Sequence, residues 1–250
     1  MGKGKDKSGS EEGMTFLEHL EELRSRIIIS LLALLIGFIL TYFFTPYIIE
    51  FLIQPFLTGG ESQLTLLAPT EGFMVKLKTA FLAGLMLSSP VLFYQFWRFI
   101  SPGLYEKEKR FIFPVVGWSV LLFFVGAVFA YHILPFAMRF FQSFAMENVV
   151  NYWSLNRYIT FAIYLLLAFG LVFELPLVIY FAARMGLVTP PFLRKYRRHA
   201  IIILLVLSAL VTPPDIITQV ILVIPLVVLY EISVFLAVIA VKKRDQATEC

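Results

Sequence analysis

The chain has 250 residues, 59% of them hydrophobic and only 15% charged, with a mean hydropathy of +0.83. This excludes a soluble domain, because one core of this size cannot hide so much apolar surface and lipid must solvate most of it. A single cysteine, Cys250, excludes an internal disulfide framework, and the pI near 9.1 must be explained by where the basic residues fall.

Residues 1–13 are polar and rich in Gly and Lys, and read as a disordered leader or tag without a cleavable signal. Thr15 and Glu18 have the spacing of a capping box, and Leu17, Leu20, Leu23 and Ile27 recur at helical spacing. The segment before the first span is therefore expected to be an amphipathic helix at the membrane interface. Arg26 follows Glu22 at i+4, a pair that on a helix surface contributes about 0.2–0.5 kcal/mol.

Apolar runs long enough for a hydrocarbon core of roughly 30 Å predict six membrane-spanning helices. The first covers Ile27–Ile49. A long segment from Glu50 to Lys76, with turn signals at Pro55, Gly59-Gly60 and Pro69, then forms an outer cap. The second span, Thr79–Ile100, ends in Ser101-Pro102-Gly103, and Glu106 and Glu108 follow. The third is Phe111–Met138.

The fourth span, Tyr158–Ala183, carries Glu174 near its midpoint, with Pro176 expected to kink the helix beside it. An ionised acidic side chain at such a depth costs on the order of 2.5–3.5 kcal/mol, so it is usually paired or functional. The fifth, Ala200–Val211, covers about 18 Å as a helix, too little to cross alone. Thr212-Pro-Pro-Asp215 reads as a helix start, with Thr212 as N-cap. The sixth span, Ile216–Val241, has Thr218 and Gln219 near its outer end, where a polar side chain can bond a neighbouring helix. Glu231 lies nearer the inner end, where pairing with a basic loop accounts for it.

Only Lys76, Lys78, Arg139 and Arg157 fall in the outer pieces, and the other 17 of the 21 Lys and Arg residues fall inside if the N-terminus is cytoplasmic. The orientation is N-in, C-in, and the basic residues are topogenic rather than a nucleic-acid footprint. Residues 14–243 make one six-helix membrane domain, and 244–250 a short cytoplasmic tail.

No HExxH, Gly-x-Ser-x-Gly or Walker A motif occurs, and His19, His132 and His199 are scattered. Neither enzyme chemistry, a metal nor a cofactor is expected. Two functions fit at this point: a receptor with cytoplasmic carboxylates, and a proton-coupled small-solute transporter using Glu174. No internal repeat supports the second.

Four motifs in order on this frame resemble the TatC family, the multispanning receptor subunits of the twin-arginine protein translocase. They are His19-Leu-Glu-Glu-Leu-Arg24, Phe99-Ile-Ser-Pro-Gly-Leu-Tyr with Glu108, Phe173-Glu-Leu-Pro176 and Thr212-Pro-Pro-Asp215. The resemblance covers Phe16 to Lys243. It implies a cupped bundle with short fifth and sixth helices and an outer cap in which Pro55 is structural. It also implies a multi-pass protein of the cell inner membrane that binds twin-arginine signal peptides of folded proteins through Glu22, Arg24, Phe99 and Glu108. Paired arginines suit such a site, since a carboxylate accepts a guanidinium bidentately and lysine cannot reproduce that geometry. Glu174, Thr212, Asp215 and Gln219 are implied as intramembrane polar residues that dock TatA-type and TatB-type single-span partners. Export driven by the protonmotive force, and self-association, belong to the same implication.

Overall fold

The computed structural model describes residues 16–57, 63–100, 112–144, 152–211 and 216–248. Helices dominate: α1 (Phe16–Tyr42), α2 (Thr45–Leu57), α3 (Glu71–Ile100), α4 (Ile112–Gln142), α5 (Leu155–Val172), α6 (Leu175–Arg184), α7 (Pro190–Lys195), α8 (Arg197–Val211) and α9 (Ile216–Thr248). Two two-residue strands, β1 (Leu64–Thr65) and β2 (Trp153–Ser154), pair in parallel and tie the first outer segment to the second. The chain is a multi-pass membrane protein. Five helical stretches are long and apolar enough to cross a bilayer: His19–Tyr42, Glu71–Ile100, Phe113–Gln142, Leu155–Arg184 and Leu222–Lys242.

The remaining helix, α8, has 15 residues, about 22 Å, so the fifth span is short as expected. The sixth is not. Helix α9 runs 33 residues because nothing in Ile216–Thr248 ends it, and even Pro225 lies within it. The expected interfacial helix is likewise no separate element, since α1 continues from Phe16 straight into the first span.

The first span also stops earlier than its hydropathy suggests. Pro46 has no N–H for the Tyr42 carbonyl, and the chain turns at Phe43–Phe44 before α2 begins. The hydroxyl of Thr45 donates to that carbonyl instead, at 2.7 Å. Pro90 leaves the Met86 carbonyl open within α3, and Ser89 Oγ donates to it at 2.7 Å. Pro55, buried inside α2, leaves the Phe51 carbonyl open, and Tyr131 on α4 supplies the hydroxyl at 2.9 Å. One residue along, Tyr158 donates to Leu52 O at 2.6 Å, so the cap is a helix fastened to the bundle by two phenols.

Packing centres on α3, α4 and α5, which all touch one another. Helix α1 lies chiefly along α3, α3 also meets α4 and α5, and α6 packs on α9, with α8 beyond. The central cluster is built around Phe56, Leu134, Ile159, Leu165 and Phe169. Helix α1, at the edge, leaves Leu31, Leu35, Ile36 and Ile39 exposed to lipid.

One antiparallel register joins α1 to α3: Arg26 faces Gln95, Gly37 faces Gly84 and Thr41 faces Ala80. A Cβ on Gly84 would stand 2.6 Å from Phe38 N, and one on Gly37 would stand 2.6 Å from Gly84 O. Backbone cannot yield as a side-chain tip can, so only glycine permits this approach. Gly84→Val is therefore expected to cost about 1–3 kcal/mol and to lower the thermal unfolding midpoint in detergent. Gly117→Ala, whose Cβ would meet nothing within 4 Å, is the matched control and should not lower the midpoint.

Candidate functional site

The end of the α1–α3 pair where α1 begins and α3 finishes gathers the polar residues singled out near the first span. Arg26 Nε donates to Glu22 Oε1 at 2.9 Å, and its Nη2 reaches the same oxygen. Arg26 Nη1 donates across to Gln95 Oε1 on α3 at 3.1 Å. The Glu22–Arg26 pair is thus no solvated surface contact. Its side chains are only 18% and 14% exposed, and a neutral amide of the neighbouring helix holds the arginine. Among the described residues Glu22 Oε2 is buried without a hydrogen-bond partner, with His19 Nδ1 4.0 Å away.

His19 stacks on Phe99 with ring centroids 4.5 Å apart and planes 18° from parallel. Phe99 therefore stands where α3 ends, one helix face from Glu22, while Arg24 is exposed on α1. The arrangement offers one free carboxylate oxygen beside an aromatic wall, which suits a guanidinium and a flanking apolar side chain. Glu108, the second expected carboxylate, lies outside the described residues. So do the Thr15 end of the capping box, the Ser101-Pro102-Gly103 turn, Thr212 and Asp215.

A second polar assembly sits within the membrane. Pro176 denies the Val172 carbonyl its donor, and the fourth span divides at Phe173–Glu174 into α5 and α6. Glu174 is 6% exposed and faces inward. Trp97 Nε1 donates to Ser119 Oγ at 2.7 Å, joining α3 to α4, and the Glu174 carboxyl of the α5–α6 break lies beside Ser119. Among the described residues Glu174 Oε1 is buried without a hydrogen-bond partner. The carboxyl lines neither the cavity around Trp153, Arg157 and Tyr158 nor the groove around Lys78, each of about 460 Å³.

The last expected residues resolve within the chain. Gln219 Nε2 donates to Leu205 O at 2.9 Å, fastening α9 to α8. Glu231 pairs with Arg197 at 2.7 Å, the basic-loop partner expected for it. Sequence reasoning missed Gln95, Trp97 and Ser119. The available signal was polar atoms within apolar spans, which need partners in lipid.

The family model for Sec-independent protein translocase protein (TatC) matches residues 18–225. The Sec-independent protein translocase protein TatC of Desulforapulum autotrophicum is 46% identical over 245 residues, covering 97% of this chain and 91% of that protein. The TatC of Aquifex aeolicus is 42% identical over 237 residues, covering 93% of this chain and 98% of that one. A crystal structure of the twin-arginine translocase receptor TatC superposes with a TM-score of 0.81 at 43% identity, covering 89% of this chain and 99% of that chain.

Trp97→Phe keeps the ring but removes the only donor that Ser119 receives among the described residues. It is expected to destabilise the fold by about 0.5–1.5 kcal/mol. The thermal midpoint of Trp97→Phe alone, in Ser119→Ala and in the double variant checks this. If the two losses simply add, the residues are not coupled through that bond.

Proposed function

The chain belongs to the TatC family and is a component of the twin-arginine protein translocase; on that premise we propose that its inner end reads paired arginines through Glu22 and Glu108, with Arg24 and Phe99 beside them. The observation that carries this reading is Glu22 Oε2, a carboxylate oxygen buried without a partner among the described residues, next to the His19–Phe99 stack. Arg26 and Gln95 hold the carboxylate in place, so an incoming guanidinium meets an acceptor already oriented and partly desolvated. Glu108 would serve the second arginine.

In this reading the chain lies in the cell inner membrane with both termini cytoplasmic, as the distribution of Lys and Arg supports. Folded cargo crosses with TatA-type and TatB-type single-span partners, driven by the protonmotive force. Gln219, together with Thr212 and Asp215, which precede α9 in the sequence, takes part in docking such a partner, and copies of the chain self-associate. Glu174 acts from the α5–α6 break as a further polar contact for a docking helix. Pro55 shapes the cap. The solute-transporter alternative has no comparable support, since Glu174 is closed in by protein.

Photocrosslinking of a twin-arginine signal peptide to the full chain in membranes is the test. Glu22→Ala and Glu108→Ala should each reduce crosslinking about tenfold or more, as expected for a lost hydrogen-bonded charge pair. A twin-lysine peptide should crosslink weakly to the unaltered chain. Undiminished crosslinking in both variants, with thermal midpoints unchanged, would sink the proposal.

A further inference from the structure

Lys78 occupies an unusual place for a lysine. It lies well inside α3, and its ammonium is held by two neutral acceptors on α5, Asn156 Oδ1 and Thr160 Oγ1, each at 2.8 Å. Thr160 donates its own proton to Asn156 O at 2.7 Å, which leaves its oxygen free to accept from the lysine. No carboxylate pairs with Lys78 among the described residues, and one of its three N–H donors has no protein partner there. An ammonium with an unused donor and no counter-charge beside it is a ready partner for an anion.

The same lysine stands at the head of a groove of about 460 Å³. Phe38 of α1 forms one wall, and Leu77 and Phe81 of α3 form the floor. Thr160, Ile163, Tyr164 and Leu167 form the other wall. Their i, i+3, i+4, i+7 spacing makes one continuous stripe, about 10 Å long, down α5 from the ammonium towards the membrane centre. Asn156 is the second residue of α5, so the polar head of the groove lies at the bilayer surface where α3 and α5 begin.

We propose that this groove binds an anionic phospholipid from the leaflet at the α3 N-terminal side, its phosphate on Lys78 and an acyl chain along the Thr160–Leu167 stripe. Charge complementarity selects the headgroup: an ammonium with a spare donor and no protein anion fits a phosphodiester carrying a net negative charge. The apolar stripe below it selects a lipid over a free phosphate. Because α1, α3 and α5 all contribute, the lipid would bridge the edge helix α1 to the centre of the bundle. This site is independent of the signal-peptide reading.

The test uses the full chain in phosphatidylethanolamine liposomes containing a trace of phosphatidylglycerol with a photoactivatable acyl chain. Crosslinks should map to Leu77–Phe81 and Thr160–Leu167. Unlabelled phosphatidylglycerol should compete, and dioleoylglycerol and glycerol phosphate should not. Lys78→Gln, which keeps the hydrogen bonds but not the charge, should lower labelling about fivefold, the factor one basic residue is worth at an anionic lipid surface. Leu167→Trp fills the acyl path while leaving Lys78 in place, and should lower labelling similarly with the thermal midpoint unchanged. Labelling unaffected by Lys78→Gln, or equal to that of the exposed α1 ridge around Leu31 and Leu35, would overturn the proposal. Displacement of the probe by a single-span partner helix, with no effect of Lys78→Gln, would assign the groove to protein and overturn it as well.

Discussion

Lipid supplies no hydrogen bonds, so every backbone N–H and C=O of this chain must find its partner within the protein. That constraint explains why helices make up nearly all of the fold, and it explains the hydroxyls beside its prolines. Pro46, Pro55 and Pro90 each leave a carbonyl without its helical donor. Thr45, Tyr131 and Ser89 close those three gaps. Two of the repairs are local, one residue before the proline. The third crosses from α4 to α2, and by crossing it fastens the cap to the bundle.

The α1–α3 crossing rests on the same logic applied to packing. Hydrophobic burial does not distinguish one lipid-soluble helix pair from another, so close backbone approach and shared hydrogen bonds must do it. Gly37 and Gly84 permit the approach, and Thr41 bonds Ala80 O at 2.8 Å. The register fixed there extends along the pair and delivers Arg26 to Gln95 and His19 to Phe99 at the other end. The geometry of the candidate site is thus set by glycines more than two turns away. Helix α1 has little else to hold it, which makes an anchor near Phe38 and Lys78 consequential.

The residues of the candidate site were legible to different degrees. Glu22 and Arg26 could be paired from their spacing, but the same spacing fits an idle surface pair. What distinguishes them is Gln95, 69 residues away, and no local pattern links the two. Glu174 was conspicuous because a carboxylate in an apolar run is costly, and Pro176 marked the break beside it. The Ser119–Trp97 pair beside it was hidden, since a serine or an indole in a span is common and carries no pairing information by itself. Lys78 was misread for a related reason. Counted as a loop residue, it belongs to the interior of α3, because helix propagation from Glu71 overrides the polarity of two isolated lysines.

The amino-acid sequence by itself determined the class of the protein, the number of spans and the short fifth helix, because hydropathy and length act residue by residue and need no partner. It also marked the break beside Pro176, since proline acts on its own backbone neighbours. The tertiary structure decided where the polar atoms go. It turned a cap loop into a phenol-pinned helix, carried the last helix to 33 residues, and enclosed Glu174. It also brought Gln95 to Arg26 and Asn156 to Lys78. Those outcomes depend on which helix lies beside which, and at what register, and that is fixed by glycine contacts and hydrogen bonds between residues far apart in the chain.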